Sequence, residues 1–434
     1  MVSMSHFKIL GHSAVLGAQW GDEGKGKIVD LMAPKFDLVV RFQGGNNAGH
    51  TVVVKGKKTV LHLLPSGLLS PKTINLIGHG AVVDPQHLWD EIENLRAKGV
   101  EVTPKNLKIS SQATVIHHYA KLLDQMRESN NKSVKIGTTG KGIGPAYEDK
   151  IARRAIKMCD LLDEKKLHQL LEGLWQERGI LLFQLYQQRD VVRIEEELLR
   201  LQKLGENLAP FYADDMEIID LVNEKSGNIL YEGAQGMMLD INFGTYPFVT
   251  SSSTTIGGIF TGSYIPRGGL KKVIGVAKAY TTRVGSGAFP TEIIGAQGDL
   301  LQKLGSEVGA TTGRIRRCGW LDLAQLKYAV KVSGYTEIAL TKVDILQQIT
   351  DAQVCVGYDY RGKFFDQFQM GMKIEELKPR YESIGNLSGE LKSTMTREDL
   401  PQGIKAYIEK IEKHIQTPVS MISYGPERDQ IIFL

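Results

Sequence analysis

Seven residues, Gly21-Asp22-Glu23-Gly24-Lys25-Gly26-Lys27, constrain this chain more than any others. They follow the short apolar run Ala14 to Gly17 and lead into Ile28-Val29-Asp30-Leu31-Met32, so they read as a loop between a buried strand and a helix. The spacing GxxxxGK lets backbone N–H groups close on an anion at a helix N-terminus. Position 28 is Ile, where the nucleotide-hydrolase signature needs Ser or Thr to place a hydroxyl on Mg²⁺. Another group must hold the metal, and Asp22, inside the loop, is the candidate. A carboxylate beside a triphosphate is repelled unless a divalent cation lies between them or it has a chemical task. The plain alternative is a glycine-rich surface turn that holds two lysines.

The 434 residues, 42% hydrophobic and 24% charged, suffice for one large α/β domain with elaborations or for two ordinary ones. A formal charge of +4 is a small difference between 53 basic and 49 acidic residues, which argues for anionic ligands and not for nucleic acid. The first residues lack a charged stretch followed by a long apolar core, and nowhere do about 18 apolar residues run together. We therefore expect a soluble, unexported, cytoplasmic protein. Cys159, Cys318 and Cys355 have no CxxC spacing, which suits a reducing compartment and excludes a zinc knuckle.

Apolar runs alternate with amphipathic stretches over much of the chain. Asp37 to Phe42, Thr59 to Leu64, Thr73 to Ile77, Asn228 to Tyr231, Lys272 to Ala277, Glu337 to Leu340 and Val419 to Ile422 read as strands of a sheet covered on both faces. Helical patterns open at Asp84-Pro85 and span Leu400 to Gln416. The fold class expected is α/β: a large, mostly parallel central β-sheet with helices on both faces. Residues 160–224, rich in Leu, Gln and Glu and without a convincing strand, are expected to form a helical insertion within a single domain spanning 1–434. Residues 1–12 carry no motif.

A second informative site is Thr341-Lys342-Val343-Asp344, at the end of an apolar run. The tetrapeptide [N/T]KxD at a strand end reads guanine, with Asp accepting from the base N1–H and N2–H₂ while the Lys stem covers the ring. A site built on such bonds rejects an analogue lacking them by roughly 10⁴-fold or more. A GTP-hydrolysing switch would also need DxxG between the two motifs, but the one DxxG, Asp359-Tyr360-Arg361-Gly362, comes after both. Further glycine-rich loops suggest further substrates: Arg41 to Thr51, Ile136 to Pro145, and Ala310 to Arg317 with three guanidinium groups in four residues. His117-His118, on an apparent helix, and Trp89, Trp175 and Trp320 are better read as structural, and Cys318 as a bystander.

Taken in order, Gly21 to Lys27, the Gly-Gly-Asn-Asn-Ala-Gly-His run ending at His50, Gly137 to Tyr147, Glu232 to Gly236, Gly244 to Pro247, Thr311 to Arg317, Thr341 to Asp344 and Ser423 to Pro426 resemble the adenylosuccinate synthetase family, from about Ser13 to Gly425. The resemblance implies a ligase that uses GTP to join IMP and L-aspartate into adenylosuccinate, releasing GDP and phosphate through 6-phosphoryl-IMP, the committed step from IMP towards AMP. A regulatory GTPase and a nucleotide kinase are the alternatives, and neither needs both IMP and aspartate.

The roles implied are these. Asp22, His50 and Gln235 are catalytic: Asp22 takes the N1 proton of IMP so that the 6-oxygen attacks the γ-phosphate, and His50 donates there to stabilise the leaving β-phosphate or the transferring group. A carboxylate is a poor base in water, so the site must be dry and the oxyanion stabilised. One Mg²⁺ per subunit rests on Asp22, the Gly49 carbonyl and phosphate oxygens. GTP meets Gly21-Asp22-Glu23-Gly24-Lys25-Gly26-Lys27, Gly49-His50-Thr51, Arg316, Lys342-Val343-Asp344 and Ser423-Tyr424-Gly425. IMP meets Asp22-Glu23-Gly24-Lys25, Asn47-Ala48-Gly49-His50, Thr139, Gln235, Thr250 and Arg314, with Arg153 reaching its phosphate from the second subunit of a homodimer. The aspartate carboxylates lie against Ala310-Thr311-Thr312-Gly313-Arg314-Ile315-Arg316.

Overall fold

The computed structural model describes residues 11–129, 135–188, 191–224, 227–265, 268–309 and 313–434. Its main sheet has ten strands: β1 (Ser13–Gly17), β2 (Leu38–Arg41), β3 (Ile74–Ile77), β4 (Leu107–Ser110), β5 (Tyr212–Ala213), β6 (Ile229–Glu232), β7 (Lys272–Lys278), β8 (Glu337–Thr341), β9 (Val419–Ser423) and β10 (Ile431–Phe433). They lie in the order β10-β9-β8-β7-β1-β6-β2-β3-β4-β5, and every neighbouring pair is parallel except β9 with β10. The α/β class expected from the sequence is the class observed.

Alternate residues of the central strands enter two different cores. Ala14 and Leu16 pack with Leu38, Val40 and Tyr231 on one face. Val15 packs with Val39, Leu230, Ile274 and the Ile28 and Val29 of helix Lys25–Met32 on the other. Both faces are dry, which is why these strands read as continuous apolar runs and not as alternations.

The order of strands positions the site. From β1 the chain moves outward through β2 to β5, returns as β6 between β1 and β2, then leaves on the other side from β7. The loops after β1, β2, β6, β7, β8 and β9 therefore open on one carboxyl edge around β1, the reversal point at which such sheets bind ligands.

Local chemistry sets the helices. Asp84 accepts from the His87 amide ahead of Pro85, starting helix Pro85–Ala97. In Gln402–Ile415 the buried residues are Ile404, Tyr407, Ile408, Ile411 and Ile415, one stripe of a 3.6-residue period. Between residues 160 and 224 lie helices Glu164–Ile180, Ile194–Leu208 and Asp215–Glu224. Leu167, Leu171, Leu174 and Leu201 pack there on Leu88 and Ile92 and on Leu107 and Ile109 of β4.

Two strand expectations need correction. The helical stretch does contain a strand, β5, paired with β4 at Ile109↔Tyr212 and Ser110↔Ala213; two residues are too few to show a period of two, and their partner places them. The strand near Thr59 to Leu64 is Lys57–Leu61, and it pairs with His50–Val54 in a separate hairpin, not in the main sheet. Lys55 and Gly56, with φ of 51° and 74°, make its two-residue turn.

The DxxG stretch is another such turn. Asp359 and Tyr360 end strand Gln353–Tyr360, Arg361 and Gly362 turn with positive φ, and Asp359 pairs with Arg380 at the surface. Trp320 is buried, while Trp89 and Trp175 pack against the helical core. Among the described residues, no helix is long and apolar enough to cross a membrane.

Candidate active site

The loop after β1 is held by its own carboxylate. Glu23 is fully buried and accepts from the amides of Gln19 at 3.1 Å and Gly21 at 2.8 Å, and from Lys25 Nζ at 2.5 Å. Its side chain thus points into the loop it belongs to. Gly24, at φ 95°, ends the turn and caps the following helix. Gly26 has no room for a side chain, since a Cβ there would stand 2.8 Å from His50 Cβ. Close approach by the His50 hairpin therefore demands glycine at that position.

Lys27, the lysine expected on phosphate, is bonded elsewhere. Its Nζ donates to Ser423 Oγ at 2.7 Å, the Gly425 carbonyl at 2.8 Å and the Gln430 carbonyl at 2.9 Å. It ties the glycine loop to the loop after β9. Burial pulls its pKa down to about 8, against the attraction of Asp344. Thr341 Oγ1 donates to the Glu23 carbonyl at 2.6 Å, so the strand end that opens the Thr341–Asp344 motif is tied to the same glycine loop.

Asp22 occupies the turn of the loop at φ 58°, with its side chain 30% exposed. Its Oδ2 accepts from Arg316 Nε at 2.7 Å. Arg316 also donates through Nη1 to the buried Glu307 at 2.8 Å. Gly21, beside Asp22, backs onto Gln235, whose Cα a Cβ at Gly21 would meet at 3.5 Å. Gln235 Nε2 in turn donates to Asn47 Oδ1 at 3.1 Å, and its own Oε1 is buried without a partner. The three loops that supply Asp22, Asn47 and Gln235 thus converge.

His50 opens the hairpin that packs on this loop. Its Nδ1 bonds Glu232 Oε1, at the end of β6, and Glu232 also accepts from Ser66 N at 2.8 Å and Ser66 Oγ at 2.7 Å. His50 Nε2 is buried with no partner. Burial lowers the imidazole pKa, and the charge of Glu232 opposes that shift. The ring is therefore fixed at one nitrogen and unoccupied at the other.

At the far end, Asp344 Oδ1 is a buried atom with no hydrogen-bond partner. Burial raises its pKa, with Lys342 and Lys27 pulling the other way. Lys342, at φ 62°, donates to the Gly305 carbonyl at 2.9 Å. An oxygen desolvated in this way costs about 1–3 kcal/mol until a donor reaches it.

The remaining expected residues are less uniformly placed. Arg314 donates to the Gly137 and Thr138 carbonyls, both at 3.1 Å, and Lys141 donates to the Asn46 carbonyl at 2.8 Å, which brings the Thr139 loop against the loop after β2. Thr250 is half-buried, and Ile315 is exposed. Arg153 is exposed, with φ 63°, at the end of helix Ile143–Ile151. Ala310, Thr311 and Thr312 lie outside the described residues. His117 bonds Asp149 at 3.3 Å, a carboxylate already paired with Arg154 and Arg178, so it is structural. Cys318 is buried, and its thiol is pushed up to about 12 by that burial.

Sequence reasoning gave no role to Glu232, Glu307 or Lys278. A charged residue closing a buried strand was the available signal for Glu232 and Lys278. Glu307 had none.

Comparison with known proteins shows what the whole chain is similar to. The model of the family "Adenylosuccinate synthetase" matches residues 14–432. The adenylosuccinate synthetases of Francisella tularensis and Francisella philomiragia are 49% and 50% identical over 424 residues, covering 98% of each chain. A fully ligated adenylosuccinate synthetase from Plasmodium falciparum superposes with a TM-score of 0.90 at 36% identity, over 98% of this chain and 100% of that one. A cyanophage S-2L succinoaminodeoxyadenylate synthetase, at 18% identity and a TM-score of 0.63 over 98% and 96%, shares the fold.

Proposed function

The chain belongs to the adenylosuccinate synthetase family, whose reaction joins IMP to L-aspartate as GTP is split to GDP and phosphate, and we propose that Asp22 is the general base of that reaction here. The observation that carries this reading is the Asp22 carboxylate, held at a left-handed turn of the glycine loop beside Gln235 and reachable from solvent. Asp22 takes the proton from N1 of IMP, the 6-oxygen attacks the γ-phosphorus, and GDP leaves. The aspartate amine then attacks C6, and phosphate departs with the oxygen. A carboxylate paired with a guanidinium is a weakened base, so Arg316 must exchange Asp22 for another anion before the proton moves. The nucleotide phosphates supply such an anion.

His50, fixed through Nδ1 by Glu232, presents Nε2 to the transferring group; donation from that nitrogen uses the imidazolium, which burial disfavours and which Glu232 and an incoming phosphate favour. Asn47 and Gln235 address the purine, with Thr139 and Thr250 beside it. Asp344, with its unpartnered buried oxygen, accepts from guanine, and Lys342 covers the ring. Arg314 and Gly313 take the aspartate carboxylates with the 310–312 segment.

Mg²⁺, one per subunit, fits the oxygen donors offered by Asp22 and the Gly49 carbonyl. The rest of such an ion's shell would be phosphate oxygens and water. Bound there, it would offset phosphate charge during transfer. Arg153, exposed at its helix end, is assigned to the IMP phosphate of a partner subunit, which makes the working unit a homodimer.

The test is absorbance of adenylosuccinate with each substrate omitted in turn, in the native chain and in Asp22→Asn. Product formed by Asp22→Asn at the native rate would remove the base, and phosphate release without IMP would turn the reading towards a GTPase.

A further inference from the structure

Arg316 does not stand alone at the mouth of the loop. Glu307, 1% exposed, accepts from Arg316 Nη1 at 2.8 Å, from Lys278 Nζ at 2.9 Å on both oxygens, and from the Tyr280 hydroxyl at 2.5 Å. Lys278 is itself 1% exposed and bonds Thr282 Oγ1 at 2.7 Å. Its amide donates to Gln19 Oε1 at 3.0 Å, which registers the group on the loop after β1. Glu307 and Arg316 also close the base of one hairpin, since the Arg316 amide donates to the Glu307 carbonyl at 3.0 Å and Val308 bridges Ile315.

Charges alternate along this chain of contacts: Lys278, Glu307, Arg316, Asp22. Lys278 and Glu307 are fully desolvated, and apolar residues of similar volume would stabilise such a position as well or better. The arrangement is explained by where it holds the last cation. Arg316 uses separate nitrogens for its two carboxylates, Nη1 for Glu307 and Nε for Asp22. One bond can be exchanged while the other stays.

We propose that Glu307, carried by Lys278 and Tyr280, is the positioning residue for Arg316 in the ligase reaction. It keeps the guanidinium at the loop mouth while Arg316 passes from Asp22 to a phosphate oxygen of the nucleotide. This rests on the reading of Asp22 as base and of Arg316 as a nucleotide contact. Glu307 acts through Arg316, and its own oxygens are taken up by Lys278, Tyr280 and Arg316.

The experiment is a double-mutant cycle on the full-length enzyme, reading KM for each substrate and kcat. Glu307→Gln is expected to raise KM for GTP by about tenfold, to change KM for IMP by less than about twofold, and to add little to the loss caused by Arg316→Leu. A purely structural Glu307 would instead give additive effects, or a lowered melting temperature with unchanged constants, and either overturns the proposal. Arg316→Leu with an unchanged KM for GTP sinks the reading of Arg316; an effective Arg316→Leu beside a silent or additive Glu307→Gln sinks the inference alone. If Glu307→Gln does not fold, Tyr280→Phe removes one bond to the same carboxylate and carries the same expectation, at about twofold in KM for GTP. A silent or additive Tyr280→Phe then overturns the proposal.

Discussion

The two ends of the proposed nucleotide site carry one aspartate each, and they are built in opposite ways. Asp22 is half in solvent and already neutralised by Arg316. Asp344 has a buried oxygen left without any partner. The difference matches the tasks proposed for them. A carboxylate that recognises a base gains most when it is desolvated and waiting, because every alternative ligand then leaves it unpaired. A carboxylate that takes a proton must be kept quiet until its substrates arrive and then released.

The comparison breaks first at Asp22. Asp22→Asn should lower kcat by at least about 10³-fold while GTP affinity, read by calorimetry, changes by less than about threefold. If affinity falls as much as turnover, Asp22 is a binding group like Asp344. The second test is the reverse. Asp344→Asn should cut kcat/KM for GTP by about 10²-fold or more and improve xanthosine triphosphate, whose base presents an acceptor where guanine has its donor. Unchanged preference would mean that the unpartnered oxygen serves something else.

Smaller effects sharpen the same contrast. Gly26→Ala pushes a methyl to 2.8 Å from His50 Cβ and should cost about 1–3 kcal/mol of stability, measured by denaturant unfolding, together with a drop in kcat as His50 shifts. A fully native variant would show that the hairpin can retreat from the loop. The smallest concerns acid. Burial raises the Glu307 carboxyl, but Lys278, Arg316 and Lys342 outweigh it and bring the pKa down from 4.5 to about 2. A depressed acid contributes stability that is complete above pH 4.5 and is lost as the pH falls towards 2. The unfolding midpoint should therefore decline across that window, and less steeply in Glu307→Gln.

Much of the site was legible along the chain because its loops need particular backbone conformations. Gly21, Gly24 and Gly44 have positive φ, and the motifs that contain them are short and self-contained. The tetrapeptide Thr341 to Asp344, proposed to read guanine, is equally local. Lys27 marks the limit of that kind of reading: its spacing matches a phosphate lysine, yet Ser423 and Gly425, almost four hundred residues on, take its hydrogens. Strand β5 is the same lesson in the fold, since its two residues are a strand only because β4 lies alongside.

Sequence alone determined the class of fold through apolar periodicity, and the family and its reaction through the resemblance of its ordered motifs, because both are carried by runs of neighbouring residues. Tertiary structure decided that Arg316 rests on Asp22, 294 positions away, that Glu307 carries Arg316, and that Glu232 fixes His50. Pairings of charge across such distances leave no trace in spacing, and they appear only when the sheet brings its loops to one edge.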